Sequence, residues 1–176
     1  MIKYILFPVL FLSFSQQENK TNFIDWSAER KLTWKDFLGK PVLGTDNAAL
    51  TSSHINFNFG YGSSGFKYSI TCRFDKTRSW VRVKTDYILA HEQAHFDIAE
   101  IHARKLKRAL DSYKFNEATA SEDVNNIYER VMKEHHRMQQ EYDLETDHSR
   151  KPAKQQEWLK KIAAELKALE PFANYR

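Results

Sequence analysis

The sequence predicts an α+β domain, with a small N-terminal antiparallel sheet packed on a C-terminal bundle of about three helices. Three observations carry this. Residues 21–83 alternate apolar and polar side chains between glycine-rich turns, as half-buried strands do. From Thr85 onward the apolar residues recur every three to four positions, as on helices. The 176 residues, less a short leader, leave about 160, enough for one compact core and not comfortably two.

The elements follow in chain order. Met1-Ile2-Lys3 gives a positive start, and Tyr4 to Phe14 is an apolar run broken only by Pro8 and Ser13. Small residues then precede Gln16. This is the layout of a secretory signal peptide over residues 1–15, cleaved near Ser15-Gln16. The run is too short for a comfortable bilayer span, and no cysteine follows it to take a lipid. A secreted or periplasmic location is expected, with one domain over residues 21–176.

Trp34, Phe37 and Leu38 form a short apolar plug for the sheet. His54 to Phe59 alternates around Ile55, Phe57 and Phe59, and Gly60 to Gly65 is a turn signal. Tyr68, Ile70, Cys72 and Phe74 alternate again, which makes a hairpin, and Trp80, Val81 and Val83 suggest a third strand. Thr85 or Asp86 can cap a helix that runs to about Tyr113. Thr119 and Glu122 fit a capping box for a second helix, whose buried face includes Val124, Ile127, Val131 and Met138. Pro152 opens a third helix, which Pro171 ends.

Composition narrows the function classes. The net charge of +4 falls to +3 without Lys3, and the basic residues are interleaved with acidic ones. That balance gives no case for nucleic acid. Cys72 is the only cysteine, so no intrachain disulfide can form, and nothing resembles a thiolate zinc site.

The segment His91-Glu92-Gln93-Ala94-His95 carries the chemistry. Two histidines four residues apart share one helical face, with Cβ atoms about 5–6 Å apart, so both imidazoles can reach one Zn²⁺. Glu92 projects from the same turn, where it can act as general base without ligating the metal. A catalytic zinc site needs a third protein ligand. His102 lies seven residues beyond His95, roughly 10 Å along the axis, and cannot reach the same ion. Ile98 and Ile101 stand where a metzincin would have glycine and histidine, which excludes that family. Glu100 is rotated off the His95 face and is better suited to partner a ligand imidazole.

The end of the second helix, Glu141 to His148, concentrates acids, a phenol and an imidazole. An antiparallel helix pair returns this segment toward His91 and His95. His148 is assigned as the third ligand, with Asp143, Glu145 and Glu100 as competing carboxylates. Tyr142 is assigned as hydrogen-bond donor to a developing oxyanion. His135 and His136 are adjacent and cannot both face inward; they are read as surface residues, with one of them packed near the site as the alternative. His54 is read as structural.

Leu89 to Glu100 resembles the core block of the bacterial family catalogued as domain of unknown function 922, whose members are described as predicted secreted zinc-dependent proteases. Leu32 to Phe37, Ser79-Trp80-Val81 and Tyr142 to His148 are similar to its other recurring blocks. Ser149 stands where glycine is expected, so the turn after His148 is expected to differ. The resemblance implies metalloprotease chemistry. The expected function is an exported zinc metallopeptidase acting on peptide or protein substrates, with Zn²⁺ as cofactor. The rival is a zinc-containing binding module of the cell envelope that performs no catalysis.

Overall fold

The computed structural model describes residues 22–62 and 65–175; the leader read at residues 1–15 lies outside them. The hairpin expected from the alternating runs is present as β3, Ser53–Gly62, and β4, Gly65–Asp75. Its register runs from Ser53↔Phe74 to Gly62↔Gly65 and sorts the side chains by face. Ile55 faces Cys72 and Phe57 faces Ile70, while Asn56 faces Thr71 and Asn58 faces Ser69. The apolar pairs pack inward and the polar pairs outward, as a period of two requires. The strand β1, Phe23–Asp25, adds to the far side of β4 and completes an antiparallel sheet of order β1-β4-β3.

The expected third strand is shorter and pairs elsewhere. Only Trp80–Val81 forms strand β5, and it pairs antiparallel with β2, Ala49–Leu50, in a separate two-stranded ribbon. Val83 lies beyond it and is exposed. The loop leading into β2 is fixed at two points. Gly39 accepts no side chain, because a Cβ there would lie 2.8 Å from the backbone oxygens of Thr77 and Ser79. Farther on, the Arg82 guanidinium donates to the carbonyls of Val42, Thr45 and Asn47.

Helix α1, Asp86–Asp111, is capped by Thr85, whose Oγ1 accepts from the Ile88 N–H at 3.1 Å. It is apolar on two faces because it is covered on two sides. Phe96, Ala99, Ala103, Leu106 and Leu110 pack with Phe74, Ile70 and Cys72 of the sheet. Ala94, Ile98 and Ile101 pack with Met138, Trp158 and Ile162 of the other helices. Both isoleucines are fully buried, and truncating either to alanine costs about 2–5 kcal/mol. The lone Cys72 is buried in the first of these cores.

Helix α2, Ala120–Thr146, begins without the expected capping box. The Thr119 side chain accepts no backbone N–H; its hydroxyl donates instead to Asp123 at 2.7 Å. Helix α3, Pro152–Ala168, opens with proline in its first turn, and Pro171 sits in a short 3-10 turn, Glu170–Phe172. No described helix is long and apolar enough to cross a membrane.

Candidate metal centre

The second and third turns of α1 present His91, Glu92 and His95, and α2 brings Asp143 against them. Asp143 Oδ1 lies 3.2 Å from His91 Nε2 and 3.1 Å from His95 Nε2, and the two imidazole nitrogens are 3.2 Å apart. Three donor atoms thus form a nearly equilateral triangle. Ligands at about 2.0–2.1 Å in a tetrahedron are separated by about 3.3 Å, so the triangle matches one face of a zinc polyhedron. Among the described residues, His91, His95 and Asp143 are the group of metal-ligating side chains this close together.

His148 is not in that triangle. Its side chain is about half exposed, and its Nδ1 lies 3.5 Å from the same Asp143 oxygen. The carboxylate that the structure brings closest to the two histidines is thus Asp143, one of those weighed against His148, while His148 lines the same cleft farther out. The reason is helical geometry. Asp143 is still within α2 and faces α1, whereas His148 follows the helix end on backbone that has turned left-handed. Asp147, His148 and Ser149 have φ of 50°, 49° and 73°. Ser149 thus occupies a conformation that glycine adopts without strain, which gives the departure at that position a physical meaning. Glu145 accepts from Trp158 Nε1 at 2.9 Å, and Glu100 is held by Arg104 and Tyr175 at a distance from the triangle.

Tyr142 cannot serve the role assigned to it. It is wholly buried beneath the site, its ring stacked on His91 at 4.5 Å and set edge-on to His95 at 5.0 Å. Its hydroxyl approaches the His91 carbonyl at 3.5 Å rather than the open cleft. Tyr142 is a floor for the imidazoles. Burial pushes its phenol further toward the neutral form. His102 lies up the helix, where its Nδ1 donates to the Ile98 carbonyl at 2.8 Å. His54 sits on the sheet beside Asp75, at 3.7 Å.

The electrostatics follow from one shared carboxylate. Burial disfavours charge on His95, but Asp143, Glu92 and the Gln139 oxygen outweigh it and push its pKa up to about 9. Burial wins at His91, whose pKa is lowered. Burial alone would raise Asp143, yet bonds from the two histidines hold its carboxyl well below the usual carboxylate range. Asp143 is thereby kept anionic, the form that binds a cation.

Two buried polar atoms here have no protein partner, Glu92 Oε2 and His91 Nδ1. An orphaned carboxylate oxygen in a buried setting costs free energy unless something else occupies the space before it. The triangle and Glu92 line a cleft of about 370 Å³. Ala49 to Ser53, including β2, line it as well, and Thr51 is tied to the motif by a 3.2 Å bond from its hydroxyl to the Glu92 carbonyl. The intervening Gln93 faces the other way. It accepts from Leu32 N–H at 2.8 Å and donates to Asp97 at 2.8 Å, pinning the N-terminal loop to α1.

The sequence of a bacterial family of unknown function, DUF922, matches residues 33–149. The chain belongs to that family. The DUF922 match runs from the loop before β2 to the left-handed turn after α2, so it contains His91, Glu92, His95, Asp143 and His148. No curated protein and no solved structure matches the chain. In this DUF922 chain α3 lies outside the matched span, and it buttresses the site from behind: Trp158 packs on Tyr142 at 5.5 Å, and Gln155 donates to the Tyr87 carbonyl.

Two residues near the site were undervalued or missed by the sequence reading. His135 is buried, the alternative weighed against a surface position for it, while its neighbour His136 is exposed. Gln139 contacts His95 directly. The available signal was the spacing of 135, 139 and 143, which repeats the i, i+4 step of His91 and His95 on the facing helix.

Proposed function

We propose that this DUF922 protein is an exported zinc-dependent metallopeptidase whose metal is held by His91, His95 and Asp143. The observation that carries the reading is the triangle of donor atoms with an unpartnered Glu92 carboxylate oxygen in the same cleft. Two neutral imidazoles and one carboxylate suit a catalytic zinc, because three protein ligands leave a position open. Zinc bound there would supply a Lewis acid that polarises a carbonyl and acidifies water.

The chain's own groups do the rest. Glu92 lies one residue after His91 and is not part of the triangle, so its carboxylate is free to take a proton from an attacking water. As the carbon–nitrogen bond breaks, Glu92 returns that proton to the leaving amine. Tyr142 and Trp158 keep the floor of the site dry, which strengthens the pull of each charge above it. One wall of the cleft, Ala49 to Ser53, offers extended backbone to a peptide substrate.

A structural zinc needs no acid beside it, so the buried Glu92 favours the enzyme over the binding module. The test is peptide hydrolysis by the zinc-loaded protein and by Glu92→Gln. The substitution keeps shape and zinc and removes the base, so hydrolysis should fall by about 10²–10⁴-fold. Zinc bound equally by both with no hydrolysis by either, across a broad peptide library, would leave the non-catalytic module in its place.

A further inference from the structure

His135, Gln139 and Asp143 recur every four residues along α2 and share one stripe of that helix, facing the His91–His95 stripe of α1. Asp143 meets the Nε2 atoms. One turn earlier, Gln139 meets the other side of His95. Its Oε1 lies 2.6 Å from His95 Nδ1, and its Nε2 lies 2.9 Å from the His95 carbonyl oxygen and 3.0 Å from His135 Nε2.

Donor and acceptor chemistry fixes the protons. A backbone carbonyl only accepts, so the Gln139 atom facing it must be the amide nitrogen. The amide oxygen is then the atom against His95 Nδ1. An oxygen only accepts there, so Nδ1 carries a proton whatever the state of Nε2; without metal Nε2 faces the Asp143 carboxylate as a donor, and with a cation between them its lone pair would face the ion. The second hydrogen of the Gln139 amide faces His135 Nε2, which must accept it and therefore be unprotonated. His135 is buried beside His102, with ring centroids 5.3 Å apart, and that burial holds its pKa down to about 3. Each position around the Gln139 amide thus has one satisfactory orientation.

We propose that Gln139 is the positioning residue of the metal centre, locking His95 as its Nδ1–H form with Nε2 toward the metal, and that His135 locks Gln139 from behind. The inference rests on the metal centre proposed above. His91 has no counterpart: its Nδ1 is unpartnered, and Tyr142 stacking orients its ring instead. The two histidine ligands are held by different means, one by hydrogen bonds and one by packing.

The experiment measures zinc affinity by competition with a chromophoric chelator, for the parent, Gln139→Met and Gln139→Glu. Methionine keeps the volume and removes every polar contact; glutamate keeps an acceptor for His95 Nδ1. Loss of a hydrogen-bond partner to a ligand histidine weakens metal binding by about 10–100-fold, so Gln139→Met should show that loss and Gln139→Glu should recover most of it. A merely structural residue would lower stability and leave affinity unchanged. A second readout needs no variant. Long-range ¹⁵N–¹H spectra of the zinc-loaded parent should show His95 protonated at Nδ1, with slow exchange, and zinc on Nε2. Zinc on His95 Nδ1, or Gln139→Met binding with the parent affinity, overturns the inference alone. A parent that binds no zinc overturns it together with the metal centre.

Discussion

Helix α1 carries two buried polar clusters less than three turns apart, and they are finished to different degrees. At Glu100 the cluster is closed. Arg104 Nε donates to Glu100 at 2.8 Å, its Nη1 donates to the Leu166 carbonyl at 2.8 Å, and the Tyr175 hydroxyl donates to the other Glu100 oxygen. The Arg104 guanidinium also lies 5.0 Å from the centre of the Trp26 ring. At Glu92 the cluster is open: one carboxylate oxygen and one imidazole nitrogen have no protein partner, and three further donor atoms converge on one point. A closed network ties Tyr175, next to the end of the chain, to the fold. An open one leaves room for the zinc ion proposed above.

That contrast predicts opposite responses to mutation. Arg104→Met should be strongly destabilising, because it leaves the Glu100 carboxylate buried without its cationic partner, a loss of about 3–5 kcal/mol. Urea unfolding reads it directly. Zinc affinity of the folded variant should be unchanged. Glu92→Leu, measured on metal-free protein, should be at least as stable as the parent, because it removes a polar atom that has no protein partner. A Glu92→Leu protein as badly destabilised as Arg104→Met would erase the distinction between the clusters.

Acid sharpens the comparison at a third buried site, His102, two residues beyond Glu100 on α1. Burial holds the His102 pKa down to about 4, from an ordinary 6.5. Between those values the unfolded chain binds the proton and the folded chain does not. Stability should therefore be full above pH 6.5, fall as the pH drops toward 4, and level off below. The loss is roughly 3 kcal/mol for this residue. Metal-free His102→Leu should show a flatter acid limb than the parent in urea titrations at each pH. An unchanged limb would mean that His102 is not the group being titrated there.

The smallest effect belongs to the turn after α2. Ser149 holds φ 73° without being glycine, and an L-residue loses about 1–2 kcal/mol there. Ser149→Gly should stabilise by up to about 1 kcal/mol, since glycine also gains freedom in the unfolded chain. A shift in melting temperature of a few degrees upward is the expected result; a decrease would show that the Ser149 side chain contributes more than its backbone costs.

How much of this was legible in the sequence depends on the range of each interaction. Period-two and period-3.6 patterns placed the hairpin and three helices, because each reports a face buried along its own element. The start of α1 was readable from Thr85, whose bond spans three residues. The pairing of β5 with β2 was not, because Ala49–Leu50 is too short to show a pattern and its partner is thirty residues away. The Thr119 cap failed for a local reason: Asp123 competes for the hydroxyl. At the site, His91, Glu92 and His95 fall within five residues and were visible as a motif. Choosing between Asp143 and His148 required knowing where α2 stops, and Tyr142 looked catalytic because its sequence neighbours are polar. Only the packing of α1, α2 and α3 shows its ring beneath the imidazoles.

The central claim is that His91, His95 and Asp143 hold a zinc ion beside Glu92, and metal analysis of purified protein tests it most directly. Protein prepared without chelator should carry close to one zinc per chain. His95→Ala and Asp143→Ala should each lose most of it, while His148→Ala should keep it. An Asp143→Ala protein that retains its zinc while His148→Ala is emptied would contradict the account.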